Sequence, residues 1–123
     1  MEQLTAKKRP DCGKPDMTFP YELIYVILNE GHSDEVMDAA RPAGATGGTV
    51  VAAKGVGPVR AEKFRGLSLA KEKEIILIVA KASANADIMR AILEKAGVHT
   101  DAGAVCFSLP VSQAAGLRML DQE

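Results

Sequence analysis

Aromatic residues and cysteine are scarce in this chain of 123 residues, which limits how its core and its cross-links can be built. There is no tryptophan, and aromatic residues make up 4% of the sequence, so the core has to be built from aliphatic side chains. The two cysteines, Cys12 and Cys106, are too few for a disulfide framework.

A strong charge of either sign and a long apolar run are also missing. The net charge is −1, from 15 basic and 16 acidic residues, so no basic excess points to nucleic acid. The longest apolar runs, such as 75–80, are far too short to cross a bilayer, so we expect no membrane insertion. Basic residues at 7–9 are followed by no apolar stretch, so they do not form a secretory signal, and we expect a cytoplasmic protein.

Regular structure is expected only beyond the first 18 residues. Residues 1–18 are rich in charge and proline without any period, which predicts a flexible N-terminal extension. Residues 19–123 form one predicted domain. Its β-branched and apolar segments predict strands at 22–28, 49–54, 74–82 and 104–109. Helices are predicted from Ser33 and from Asn85 or Asp87, where apolar residues recur at helical spacing.

The order βαββαβ is that of an α+β, ferredoxin-like fold, a four-stranded antiparallel sheet with both helices on one face. A sheet covered on one face should alternate apolar and polar residues, but the first and third strands are apolar at nearly every position. Because two helices cover only one face, we expect other copies of the chain to cover the second face.

Glycines flank the second strand on both sides, at Gly47 and Gly48 before it and at Gly55 and Gly57 after it. Glycine lets a ligand or another backbone approach closely, and the free N–H groups of a glycine loop can bind phosphate. The Gly-x-Gly at 55–57 is also what a plain tight turn would contain. The basic residues that follow, at 60, 63 and 65, suit either a phosphate site or a solvated loop.

These segments resemble the P-II-type nitrogen regulatory proteins over roughly 21–117. The similarity is carried by Gly-Ala-Thr-Gly-Gly-Thr-Val at 44–50, by Lys-Gly-Val-Gly at 54–57 and by Phe-Ser-Leu-Pro-Val at 107–111. The resemblance implies a homotrimer with its sheets facing inward. It also implies clefts between subunits that bind ATP, ADP or AMP, and a long loop that docks on a partner such as a transporter or an enzyme.

The resemblance assigns site residues one by one. Gly47, Gly48 and Thr49 would face the adenine and ribose, Gly55 and Gly57 would lie near the phosphates, and Arg118 would match the second arginine of a C-terminal Arg-x-Arg. Three features depart from the family. The loop after Gly57 is short and has no tyrosine, Pro-Val stands at 58–59 where a glutamine is expected, and no basic residue follows Gly103. The family's lysine at the start of the third strand corresponds to Lys71 or Lys73.

The resemblance thus implies a regulator that binds a small effector and requires no cofactor. Two other functions remain open. One is a trimer of the same fold that binds a metal or a small anion, for which His99 and Asp101 are the better pair among His32, His99, Asp101 and Cys106. The other is an assembly module without a ligand. An enzyme is not expected, because the loop after the first strand, 29–32, has no arginine and no nucleophile stands in a catalytic order.

Overall fold

The computed structural model describes residues 19–56 and 72–117, and the predicted βαββαβ order is confirmed there. The N-terminal extension and most of the segment between the second and third strands lie outside the described residues. The elements are β1 (Tyr21–Asn29), α1 (Ser33–Ala40), β2 (Thr49–Lys54), β3 (Glu72–Lys81), a 3-10 turn (Ala82–Ala84), α2 (Asn85–Ala96) and β4 (Val105–Pro110).

The sheet has the order β2-β3-β1-β4, and every neighbouring pair is antiparallel. The two apolar strands β1 and β3 are therefore central, whereas β2 and β4 are the edges. This is the ferredoxin-like sheet that the sequence predicted. It places the glycine-flanked strand at one edge and the closing strand at the other.

The hydrophobic core lies between the sheet and the two helices. Alternate residues of β1 are fully buried, at Ile24, Val26 and Leu28, and β3 does the same with Ile76 and Ile78. The helices contribute aliphatic side chains spaced three or four residues apart, namely Val36, Met37, Ala40, Ile88, Met89, Ile92 and Ala96. No buried residue of the described part is polar or charged.

The opposite face of the sheet is also apolar over its central area, which we call the open face. It is lined by alternate residues of the four strands, as the pairing register requires: Leu23, Tyr25, Ile27, Thr49, Val51, Ile75, Leu77, Val79, Val105, Phe107 and Leu109. The side chain of Phe107 is 46% exposed, and its ring stacks on Tyr25 with centroids 5.2 Å apart. Both helices pack on the other side, so the predicted excess of apolar sheet surface is present.

Both ends of β3 differ from the sequence prediction, and β1 and β4 differ from theirs by one residue at each end. β3 begins at Glu72 because the charged residues Glu72 and Lys73 continue the ladder opposite Lys54 and Ala53. It ends at Lys81, where the next amide donates to the Pro20 carbonyl and a 3-10 turn begins.

Among the helices of the described ranges, none is long and apolar enough to span a membrane.

Gly48 and Gly47 provide a matched test of packing at the edge of the sheet. A Cβ at Gly48 would lie 2.9 Å from Ile76 Cγ2 and 3.3 Å from Met37 Sδ, whereas a Cβ at Gly47 would have no heavy atom within 4 Å. We expect Gly48→Ala to lower the free energy of unfolding by about 1–3 kcal/mol through overpacking. Gly47→Ala should leave it unchanged or raise it by up to about 1 kcal/mol.

Urea denaturation of both variants and the wild type at one protein concentration measures the difference. Equal stability of the two variants would contradict the close packing of Gly48 against β3 and α1.

Candidate functional site

The three residues at the start of β2 have different surroundings. Gly47 has open space around it, and Gly48 has its α-carbon pressed against the helix-side core. Thr49 is exposed and lies opposite Leu77, on the open face. All three residues are at least partly exposed, and of the two glycines Gly48 is the one at which packing would hinder a side chain.

The phosphate-side glycines lie at the far end of the same edge strand. Gly55 follows Lys54, the last residue of β2, and is half-buried. Six strand residues separate the two glycine groups, a distance of about 20 Å at the usual rise of a strand. The other two members of the predicted set, Gly57 and Arg118, lie outside the described residues.

A second turn, 97–103, lies at the same end of the sheet but at the opposite edge. β4 starts after this turn, opposite Ile27 at the end of β1, and β2 ends opposite Glu72 at the start of β3. With about 4.8 Å between neighbouring strands, β2 and β4 are about 14 Å apart. The two edge strands therefore do not meet within one chain.

Between the edges, a polar group joins the end of β1 to β3 and to this turn. The Lys73 ammonium donates to Asn29 Oδ1 at 2.8 Å, and Asn29 Nδ2 donates to the Asp101 carbonyl at 2.9 Å. The backbone N–H of Asn29 donates to the Ala102 carbonyl at 2.8 Å. In the sequence, Lys73 is one of two alternatives for the family's lysine at the start of the third strand, and Asn29 belongs to a predicted turn. The β1–β3 register, which pairs the two residues, was the missing signal.

The residues considered for a metal site are not brought together. His32 Nδ1 lies 3.2 Å from the Glu35 carboxylate at the start of α1, and His99 is exposed in the turn before β4. Burial raises the pKa of the Cys106 thiol to about 11, which keeps the free thiol protonated at neutral pH. Within the described ranges, no three His, Cys, Asp or Glu side chains form a metal-binding group.

A cavity of about 180 Å³ lies at the other end of the sheet, where β1 begins and β4 ends. Its walls are Pro20, Tyr21 and the segment after β4, including Ser112, Gln113 and Gly116. The segment after β4 is not helical as far as Leu117. The lining residues carry no formal charge, so this cavity offers no counter-charge to a phosphate.

The fold is shared with solved structures of low sequence identity. A PII protein from Arabidopsis thaliana, crystallised bound to citrate, matches with a TM-score of 0.62 and 21% identity, over 81% of this chain and 85% of that one. A DUF3240 family protein from Shewanella baltica matches with a TM-score of 0.60 and 14% identity, over 80% of this chain and 97% of that one.

A third structure, of a protein from Thermus thermophilus described as a putative PII-like signalling protein, matches with a TM-score of 0.57 and 15% identity, over 76% of this chain and 87% of that one. Such identities support the fold alone.

No curated protein sequence matches the chain significantly. The family model of nitrogen regulatory protein P-II, however, matches residues 21–120. That range contains all four strands, both helices and the polar group at Asn29. It agrees with the sequence motifs at 44–57 and with the observed topology. The chain therefore belongs to the P-II family of nitrogen regulatory proteins.

Proposed function

We propose that this protein is a homotrimeric, cytoplasmic P-II-like signalling protein that binds an adenine nucleotide between its subunits and regulates a partner protein. The observation that carries the proposal is the apolar open face, together with candidate ligand residues along the β2 edge and Lys73 on the neighbouring strand. Burying that face against other copies covers the apolar surface and brings unlike edges together.

The shapes of the two edges favour head-to-tail contact. On the open face, β4 presents the bulky residues Phe107 and Leu109, whereas β2 presents the smaller Thr49 and Val51. Bulky side chains fit best against small ones, so the β4 edge of one copy suits the β2 edge of the next. Such a heterologous contact builds a closed ring when the rotation between successive copies returns to the first copy. The family resemblance implies a homotrimer with inward-facing sheets, so we propose a ring of three copies.

The ligand would be bound where these edges meet. Gly47 and Thr49 offer unhindered surface for a base and ribose, and the ammonium of Lys73 offers a positive charge near the end of β2. Ligand contacts at the end of β2 would alter the segment between β2 and β3, which would present the signal to a transporter or an enzyme.

A small polycarboxylate is a second candidate ligand. The Arabidopsis thaliana PII structure contains citrate, and a lysine ammonium binds a carboxylate as readily as a phosphate. In this chain Lys73 would make that contact without any base or ribose. The two candidates differ in whether Gly47 and Thr49 take part.

The assembly is tested by placing a charge on the open face. We expect the wild type to elute as a trimer in size-exclusion chromatography with light scattering, and Phe107→Glu to elute as a monomer because a carboxylate would be buried in the interface. The control is Val98→Glu, since Val98 is 75% exposed outside this face. Circular dichroism checks that each variant is folded. A wild-type monomer at micromolar concentration would refute the trimer.

The ligand is tested by calorimetry with ATP, ADP, AMP and citrate. We expect at least one adenine nucleotide to bind the wild type, and Gly47→Leu to abolish that binding by filling the open space at the start of β2. Ala86→Leu adds similar bulk at an exposed position of α2 and should bind normally. Binding of citrate alone, unaffected by Gly47→Leu, would favour the polycarboxylate. No heat with any ligand would refute both.

A further inference from the structure

We propose that Asn29 is a positioning residue, which holds the Lys73 ammonium and the turn before β4 in one arrangement and so couples anion binding to the conformation of that turn. The proposal rests on the function proposed above for its ligand, but its geometry stands independently. No motif in the sequence marks Asn29, which lies at the last position of β1.

Three hydrogen bonds converge on Asn29 from two different elements. Its side-chain oxygen accepts from Lys73 on β3 at 2.8 Å, and its side-chain amide donates to the Asp101 carbonyl at 2.9 Å. Its backbone N–H donates to the Ala102 carbonyl at 2.8 Å. A Cβ at Gly103 would lie 3.0 Å from Asn29 Nδ2, so the turn also packs directly on the amide group. Movement of this side chain therefore moves both neighbours.

The amide is suited to this double role because it has a donor at one end and an acceptor at the other. An aspartate could accept from the lysine but could not donate to the Asp101 carbonyl, and its charge would neutralise the ammonium. An alanine would leave both groups without their partner. Asparagine alone among these fixes the lysine and keeps its positive charge available to an anion.

Among the neighbours of Lys73 in the described ranges, Asn29 is the one that orients its side chain. On the ladder, Lys73 lies between Asn29 of β1 and Ala53 of β2, and the next residue of its own strand on that face is Ile75. Within the described ranges, no carboxylate lies within ion-pair distance of its ammonium. The lysine has three donors, so an anion can take the remaining ones while one stays on Asn29.

The first test measures affinity for the ligand that the wild type binds best among ATP, ADP, AMP and citrate. We expect Asn29→Ala to weaken binding about fivefold, the equivalent of one hydrogen bond, and Asn29→Asp to weaken it further. In the Lys73→Met background, Asn29→Ala should have little additional effect, because the two residues act as one unit. Independent, additive losses would overturn the positioning role.

The second test needs no ligand, so it distinguishes this proposal from failure of the nucleotide site. Amide hydrogen exchange, followed by NMR, reports the Asn29 and Gly103 N–H groups, which donate to the Ala102 and Thr100 carbonyls. We expect Lys73→Met to speed their exchange at least about threefold, because the Asn29 side chain loses its restraint. Lys95→Met, at an exposed position of α2, is the control.

Unchanged exchange at both amides in Lys73→Met would overturn the coupling, whatever the ligand experiments give. Faster exchange without any ligand binding would support the coupling and refute only the proposed ligand. A uniform rise over the whole sheet would indicate general destabilisation and would count against a local role for Asn29.

Discussion

The structure depends on one imbalance, a sheet whose two faces are both apolar while the two helices of residues 19–56 and 72–117 cover only one of them. On one side, Ile24, Ile76 and their neighbours are fully buried by α1 and α2. On the other, Phe107 and Tyr25 stack on a surface that nothing in the described ranges covers. Exposed apolar surface is unfavourable in water, so association of copies through this face would be favourable. Fold, assembly and ligand site follow from how that is done.

The strand order explains why the two edges of the sheet do not meet within one chain. β2 and β4 are the outer strands, so the glycine-flanked edge and the turn before β4 are separated by the full width of the sheet. Packing copies edge to edge would bring them together without any change within the chain. The glycines then divide into two roles, since Gly47 leaves space for a ligand whereas Gly48 lets β2 approach Ile76.

Much of the fold could be predicted from the sequence because hydrophobic periodicity and glycine placement are local signals. The βαββαβ order and the excess apolar face were both predicted from such patterns. The start of β3 was missed because Glu72 and Lys73 are charged, and only pairing with β2 makes them strand residues. The contact between Asn29 and Lys73 was missed for a similar reason, since strand register joins residues 44 positions apart and no local pattern records it.

The chemistry of the open face also determines how assembly would respond to temperature. The residues that line it are uncharged, and most of them are aliphatic. Burial of such surface is driven by entropy near room temperature and carries a large negative heat-capacity change, so the association weakens on cooling. Added salt has little screening effect on this association, because the residues that line the open face are uncharged. An interface of ion pairs would instead weaken with added salt, whereas the proposed trimer would be held most loosely in the cold.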